Sequence, residues 1–451
     1  MKNISKIISI AFLSFSILLL CYVFYRSQIF HSGTKFDYYL TYYTIAFLLI
    51  IFSFSSFFIP EKIKINITLV LVSILIGIYL VEGYLTVKNP YYKFIFDTKY
   101  ADKNFDKRTL LEIYQDLKKE DPNVVISLHG MSLSDDNSIY FSLSGLSNRK
   151  TIFCNENGYY SIYNSDRYGF NNPDKEWDKE EIEFFLVGDS FAHGACVNEP
   201  DTISGNLRTL IDNKGGILNL GQDDNGTLIE YATLREYLPV KRVKRVLWLY
   251  YANDLTNLSN ELNNKILVNY LNDKNFTQNI ISRKQEIEKL LLKKIEQTRI
   301  AKLHSIKFSF VKLFLTRQII FDKIKIYFST FTTTSREEKS LLQLKEFEKI
   351  LKLSNKLTME NNSKLYFILL PSYGRYTIKK NGVDYQEYGY KKITEIVESL
   401  DIPVIDIHKE LFKKQKDPLS LFPFKKSGHY NEKGYQLVAK TIFNNIEELE
   451  K

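Results

Sequence analysis

Three residues in this chain have side chains suited to moving an acyl group between oxygens, and each sits in a short polar block. Ser190, in Gly188-Asp189-Ser190, offers a hydroxyl nucleophile. His429, in Ser427-Gly428-His429, offers an imidazole able to take that proton and return it to a leaving alcohol. Asn253, in Ala252-Asn253-Asp254, offers a side-chain amide for the charge that develops on a carbonyl oxygen. A fourth block, Asn219 to Gly226 (NLGQDDNG), supplies backbone N–H groups, so that the N–H of Ser190 and one from the Asp223 to Gly226 turn, with Asp224 and Gly226 as candidates, would join Asn253 around an oxyanion. Asp189 reads as a brace for the nucleophile turn, and His193 and His408 as structural. Taken singly, each residue also has an ordinary explanation, a helix cap for Asn253 or a helix-start residue for His429. With the histidines scattered and no CxxC or HExxH pair, neither a metal site nor a cofactor is expected.

The elements that must position these blocks follow from apolar patterning. Phe184 to Val187 is a run of four bulky apolar residues, as suits a parallel strand covered on both faces, and Gly188 permits the sharp turn that would leave Ser190 at the sheet's C-terminal edge. Further strands are expected at Gly216 to Leu220, Arg245 to Tyr250, Lys364 to Leu370 and Ile402 to Ile405. Helices such as Leu228 to Tyr237 and Lys391 to Leu400 separate them, which is the pattern of a parallel α/β sheet. Ligands of such sheets bind beyond the strands' carboxyl ends, where the polar blocks fall. Before this domain, Lys107 to Lys119 has helical spacing, Val124 to Cys154 alternates like short strands, and Asn155 to Pro173 is a turn-rich aromatic loop that could wall a pocket.

The four blocks, in this order, resemble the SGNH/GDSL hydrolase superfamily over roughly Glu183 to Leu449. The resemblance implies a flavodoxin-like three-layer α/β/α fold and an acyl-serine intermediate on Ser190. Its membrane-anchored members look like enzymes that add or remove acetyl groups on cell-surface polysaccharides. Two positions depart from the pattern. Asp224 stands where the second block has glycine, and Lys426 and Ser427 occupy the positions before His429 where an aspartate is usual. The imidazole would then be oriented by a backbone carbonyl, by Ser427, or by an acid from elsewhere such as Asp406 or Asp417, or would work in a Ser–His dyad. A non-catalytic glycan-binding or scaffold protein on the same fold is the alternative that these departures leave open, and a phospholipase a weaker third.

Three apolar stretches, about Ile7 to Tyr25, Tyr39 to Ile59 and Ile65 to Thr86, each approach the ~20 residues of a bilayer-spanning helix, with Tyr22, Tyr25, Tyr39 and Tyr84 as interfacial anchors. The first could instead be a signal peptide, although no small-residue cleavage site follows it. Lys2, Lys6, Lys62 and Lys64 favour a cytoplasmic N-terminus, which after three spans puts the rest of the chain outside the cytoplasm, although Arg26, Lys35, Lys88 and Lys93 nearly balance them. In such a compartment Cys154 and Cys196 could bridge, stapling the preceding segment to the nucleophile loop; two buried free thiols are the alternative.

The expected domains are therefore 1–88, a three-helix anchor; 89–180, a linker with a small α+β region; and 181–451, the α/β domain with a helical insertion at about 255–363. From Lys265 to Lys325 there are fourteen Lys or Arg against five Asp or Glu, a surplus of nine that equals the formal net charge of the whole chain. The basic amphipathic stretch from Ser305 to Phe328 suits either a helical cap on the domain, the reading preferred here, or a surface for anionic lipid or acidic glycan. The partners implied are the lipid bilayer, an acylated polysaccharide or glycolipid substrate and, for a transferase, a membrane protein that brings the acyl donor across. No nucleic-acid motif is present.

Overall fold

The computed structural model describes residues 2–30, 36–87, 105–106, 108–134, 139–212, 215–307, 333–377, 387–426 and 428–451, with 313, 316, 317, 319, 379–380 and 383–384. The chain divides into two compact units, 1–90 with 305–327, and 91–304 with 328–451.

In the first unit the apolar stretches form α1 (Lys2–Phe24), α2 (Phe36–Ser55) and α3 (Glu61–Val87), each long and apolar enough to cross a membrane. Their large side chains point outward while small polar ones meet inside. The Ser16 and Ser53 hydroxyls lie 2.9 Å apart, and the Lys64 ammonium donates to Ser5 O and Ser9 Oγ at 3.2 and 2.8 Å. An ammonium in an apolar bundle needs such acceptors, because hydrocarbon offers none. The basic stretch Ser305 to Phe328 lies mostly outside the described residues. Within it, Thr316 donates through N and Oγ1 to Glu82 of α3 at 2.8 and 2.7 Å.

The second unit is built on five parallel strands: β1 (Glu181–Gly188), β2 (Gly216–Asn219), β3 (Arg242–Tyr250), β4 (Lys364–Leu369) and β5 (Val404–Asp406). Their spatial order is β5-β4-β3-β1-β2, with every neighbouring pair parallel. That is the flavodoxin-like doubly wound order, whose direction reverses at β1. All five strands coincide with apolar runs in the sequence because both faces are covered. Leu247 and Leu249 pack to one side of β3 while Val246, Trp248 and Tyr250 pack to the other.

Before the sheet comes α4 (Leu110–Glu120), which packs in a small cluster apart from it, and the helices of the two layers include α5 (Ser190–His193), α6 (Ile203–Leu210), α7 (Thr227–Tyr237), α8 (Asp254–Glu261), α9 (Thr333–Glu360), α10 (Glu387–Ser399) and α11 (Glu432–Leu449). One core holds Leu228, Leu234, Phe347, Leu351 and Val397, from α7, α9 and α10, and the other Leu207, Val438 and Ile442, from α6 and α11. Of the region between 110 and 164, Ile113, Val124 and Ile152 form a small cluster of their own, while the rest packs on the sheet. Tyr140, Phe141, Leu146 and Phe170 join the same core as Val246 and Trp248, and Asn172 pins this region to β2 by accepting from Asn219 N at 2.8 Å and donating to Asn219 O at 2.9 Å.

Candidate active site

The nucleophile turn is shaped by packing. At Gly188 φ is +155° and a Cβ would stand 2.7 Å from Leu249 O, so only glycine lets β1 end where it does. Asp189 then caps α5, accepting from Phe191 N at 2.9 Å, which leaves Ser190 as the first residue of that short helix. The Asp189 carboxyl is fully buried; burial pushes its pKa up to about 6, against the Phe191 N–H, the His429 imidazole and a hydrogen bond from Asn253.

His429 arrives from the far end of the chain, two residues before Asn431 caps α11. Its ring rests on Phe191, centroids 4.7 Å apart, and Phe191 in turn stacks on Tyr251 at 4.2 Å. The separation that decides the chemistry is short, with Ser190 Oγ 2.8 Å from His429 Nε2. That is hydrogen-bonding range for a nucleophile and its general base.

The acid behind the histidine is one that sequence reasoning missed. Glu156, in the turn-rich loop after Cys154, lies with Oε1 and Oε2 at 3.2 and 3.1 Å from His429 Nδ1, and its Oε2 accepts the His429 backbone N–H at 2.6 Å. With Nδ1–H donated to Glu156, Nε2 is left to accept from Ser190, so the carboxylate fixes the tautomer. Burial disfavours the protonated imidazole, but the Glu156 carboxylate, with Asp189 and Asp223 beyond, outweighs it and leaves the pKa above the ordinary histidine value. Burial likewise disfavours the Glu156 carboxylate, yet the His429 hydrogen bonds and charge hold its pKa below the usual range. Gly428 makes room for the pair. Its φ is +138°, and a Cβ there would stand 2.5 Å from Glu156 Oε2.

The acids considered from sequence are engaged elsewhere. Asp406 caps a short helix through His408 N and Lys409 N, and Asp417 pairs with Lys425. Ser427 lies outside the described residues. The expected bridge is present, Cys154 to Cys196 with Cα atoms 4.8 Å apart, and Cys154 precedes Glu156 by two residues. A Glu156 carboxylate oxygen, a His429 ring nitrogen and Cys196 Sγ lie within 4.8 Å of one another, but the sulfur is bonded to Cys154 and Glu156 is hydrogen-bonded to His429. His193 is buried and neutral. Burial pushes it down to about 3, and its Nε2 meets the Tyr163 hydroxyl at 3.0 Å. His408 Nδ1 meets the Tyr376 hydroxyl at 3.0 Å.

The oxyanion candidates divide. Gly226 is not free to serve, because its N–H donates to Glu261 Oε1 at 2.6 Å while Glu261 Oε2 takes Leu228 N at 2.9 Å. That carboxyl caps α7, and burial pushes it up to about 8. Asp224 occupies the glycine position with φ of +64°, and its side chain is drawn away toward α8, where Asn257 Nδ2 donates to its O and Oδ1 at 3.2 and 3.4 Å. Asn253 stands directly before α8, in a turn closed by Tyr251 N donating to Asp254 Oδ2 at 2.8 Å.

No protein-family model matches the sequence, and no curated protein is similar to it. Solved structures that are similar include a member of the lipolytic G-D-S-L family from Veillonella parvula, 13% identical with a TM-score of 0.32, the match covering 58% of this chain and 97% of that one. A psychrotrophic esterase from Pseudoalteromonas sp. is 12% identical with a TM-score of 0.30, covering 60% and 98%. An acetyl xylan esterase, AlAXEase, is 11% identical with a TM-score of 0.32, covering 59% and 99%.

Proposed function

We propose that this protein is a membrane-anchored serine esterase or O-acyltransferase that works through an acyl-Ser190 intermediate on an acyl ester, acetyl above all, of a carbohydrate outside the cytoplasm. The observation that carries the reading is the 2.8 Å contact of Ser190 Oγ with His429 Nε2, backed on the opposite ring nitrogen by Glu156. In this reading His429 takes the Ser190 proton as the oxygen attacks the ester carbonyl, and Glu156 stabilises the imidazolium without itself being protonated. The carbonyl oxygen gains its negative charge beside the Ser190 N–H, the Asp224 N–H and the Asn253 amide. His429 then protonates the leaving sugar hydroxyl. Water or a second hydroxyl, activated by the same imidazole, releases the acyl group, so hydrolysis and transfer share every residue.

The location rests on three apolar helices that place the α/β domain beyond the bilayer if the N-terminus is cytoplasmic, and on a disulfide of the kind that persists in oxidising compartments. A transferase there would need a companion membrane protein to supply acyl groups. The alternative of a non-catalytic binding module drew its force from Asp224 and from the missing acid before His429; Glu156 beside His429 Nδ1, and the Asp224 side chain turned toward Asn257, support the catalytic reading over it. A chromogenic acetyl ester and a fluorophosphonate probe test the chemistry. The wild-type protein should turn over the ester and take the label, and Ser190→Ala should do neither; equal turnover by both proteins overturns the reading.

A further inference from the structure

The Cys154–Cys196 disulfide takes no part in the proton path, yet it closes the loop that carries Glu156 onto the turn that follows the nucleophile. Cys154 is two residues from Glu156, a reach of at most ~7 Å of chain, and Cys196 is six residues after Ser190. The Cys196 sulfur lies within 4.8 Å of both a Glu156 carboxylate oxygen and a ring nitrogen of His429. The other ties of the loop are hydrogen bonds, among them the Tyr159 hydroxyl donating to Glu432 of α11 at 2.6 Å. Asn157 Nδ2 donates to Cys196 O at 3.0 Å, Ser161 N to Cys154 O at 2.9 Å, and Asn155 Nδ2 to Asp106 O at 2.9 Å. None of them holds the Glu156 side chain, whose hydrogen bonds come from His429 alone among the described residues.

We infer that the Cys154–Cys196 disulfide is a positioning pair for Glu156, so that the protein is fully active only when oxidised and loses its acid when a dithiol opens the bond. The inference rests on the Ser190–His429–Glu156 reading above. In the step itself a dithiol thiolate attacks one sulfur, the S–S bond breaks, and a second attack by the same reagent completes the exchange. Two electrons and two protons pass to give Cys154 and Cys196 thiols, and the reagent leaves as its own cyclic disulfide. Cys196 is buried and Cys154 partly exposed, so the exposed sulfur is the one attacked.

The charges around His429 make the event readable in a pH profile. Glu156 faces the ring from the tethered loop, Asp189 from the nucleophile turn and Asp223 from the second block, with neutral His193 beyond. Only Glu156 is held by the disulfide. Its departure leaves burial to act against Asp189 and Asp223, so the acid limb of activity moves to lower pH.

The full chain in detergent would be assayed on an acetyl ester from about pH 5 to 9 before and after dithiothreitol, with EDTA present and free thiols counted by maleimide mass tagging. Reduction should lower kcat at least tenfold at neutral pH with little change in KM and move the acid limb down, and oxidised glutathione should restore both. Cys154→Ser/Cys196→Ser should show the same profile without reductant. In Glu156→Ala, where the acid is already lost and no group is left to hold a tautomer, reduction should change kcat by less than about twofold. Tagged thiols with unchanged kcat and an unmoved limb overturn the inference, as does a fall in Glu156→Ala equal to that in wild type, which marks general loosening. Activity that survives Ser190→Ala is a different failure, that of the catalytic reading itself.

Discussion

Replacing Glu156 by glutamine changes one atom and should cost most of the activity. The carboxylate accepts two N–H groups, the His429 backbone N–H at 2.6 Å on Oε2 and the Nδ1–H at 3.1 and 3.2 Å on both oxygens. A glutamine has one acceptor. If its oxygen keeps the backbone N–H, its NH₂ faces Nδ1 and stabilises the tautomer with the proton on Nε2, the atom that must accept from Ser190 Oγ. An inverted tautomer in a serine triad lowers kcat by about 10⁴, some 5 kcal/mol of transition-state stabilisation. The charge is lost as well, so burial now dominates the imidazole and the acid limb of the residual activity moves to lower pH. Linkage gives a companion stability signal. The raised His429 pKa stabilises the fold below the unfolded value near 6.5 and the benefit fades as pH rises through the folded value, while the lowered Glu156 pKa stabilises it above the unfolded value near 4.5 and the benefit fades in acid. The Tm gap between wild type and Glu156→Gln should therefore be widest between those two values. The assay is kcat and kcat/KM on an acetyl ester across pH, with thermal melts alongside. A variant within about threefold of wild type, with the same acid limb, refutes the assignment of Glu156.

Gly428→Ala should lower kcat by about ten- to a hundredfold with the same shift of the acid limb, because the new Cβ meets the Glu156 carboxyl, and should also lower stability by roughly 1–3 kcal/mol, because φ there is +138°; steady-state kinetics beside a melt separate the two effects. Asn253→Ala should lower kcat by about 10²–10³ with KM little changed, as for loss of one oxyanion donor, and an unchanged kcat would exclude the amide from that role. Asp224→Gly should raise stability by roughly 0.5–1 kcal/mol in chemical denaturation, since φ is +64° there, and leave activity in place because only the backbone N–H is used. Glu261→Ala should destabilise by about 2–4 kcal/mol, because it leaves the buried Gly226 and Leu228 N–H groups without their acceptor.

Much of this arrangement was legible in the chain. Five buried parallel strands must read as apolar runs, and three long apolar helices as spans, because each signal is local and set by the solvent the element meets. Ser190, Asn253 and His429 were found because each stands just past a strand or before a helix in a block of its own. Glu156 was not, since a carboxylate 273 residues before its histidine carries no local pattern. The one signal was covalent. Cys196 lies near Ser190 and could bridge to Cys154, which meant that the residues beside Cys154 would be carried to the site. Gly226 failed as a donor for a similar reason, its N–H being taken by Glu261 from another helix.

The lodging of Glu156 outside the five-stranded sheet changes what counts as a heritable catalytic module here. A fragment starting at Glu181 would contain all five strands, Ser190 and His429, and would leave behind Glu156, one half of the bridge and the core residues Tyr140, Phe141 and Phe170. Recombination that swapped only the sheet domain would part His429 from Glu156, whereas exchange of the 105–180 region could change the surroundings of His429 without touching Ser190. Selection on rate can thus act on a peripheral stretch that searches for hydrolase signatures pass over.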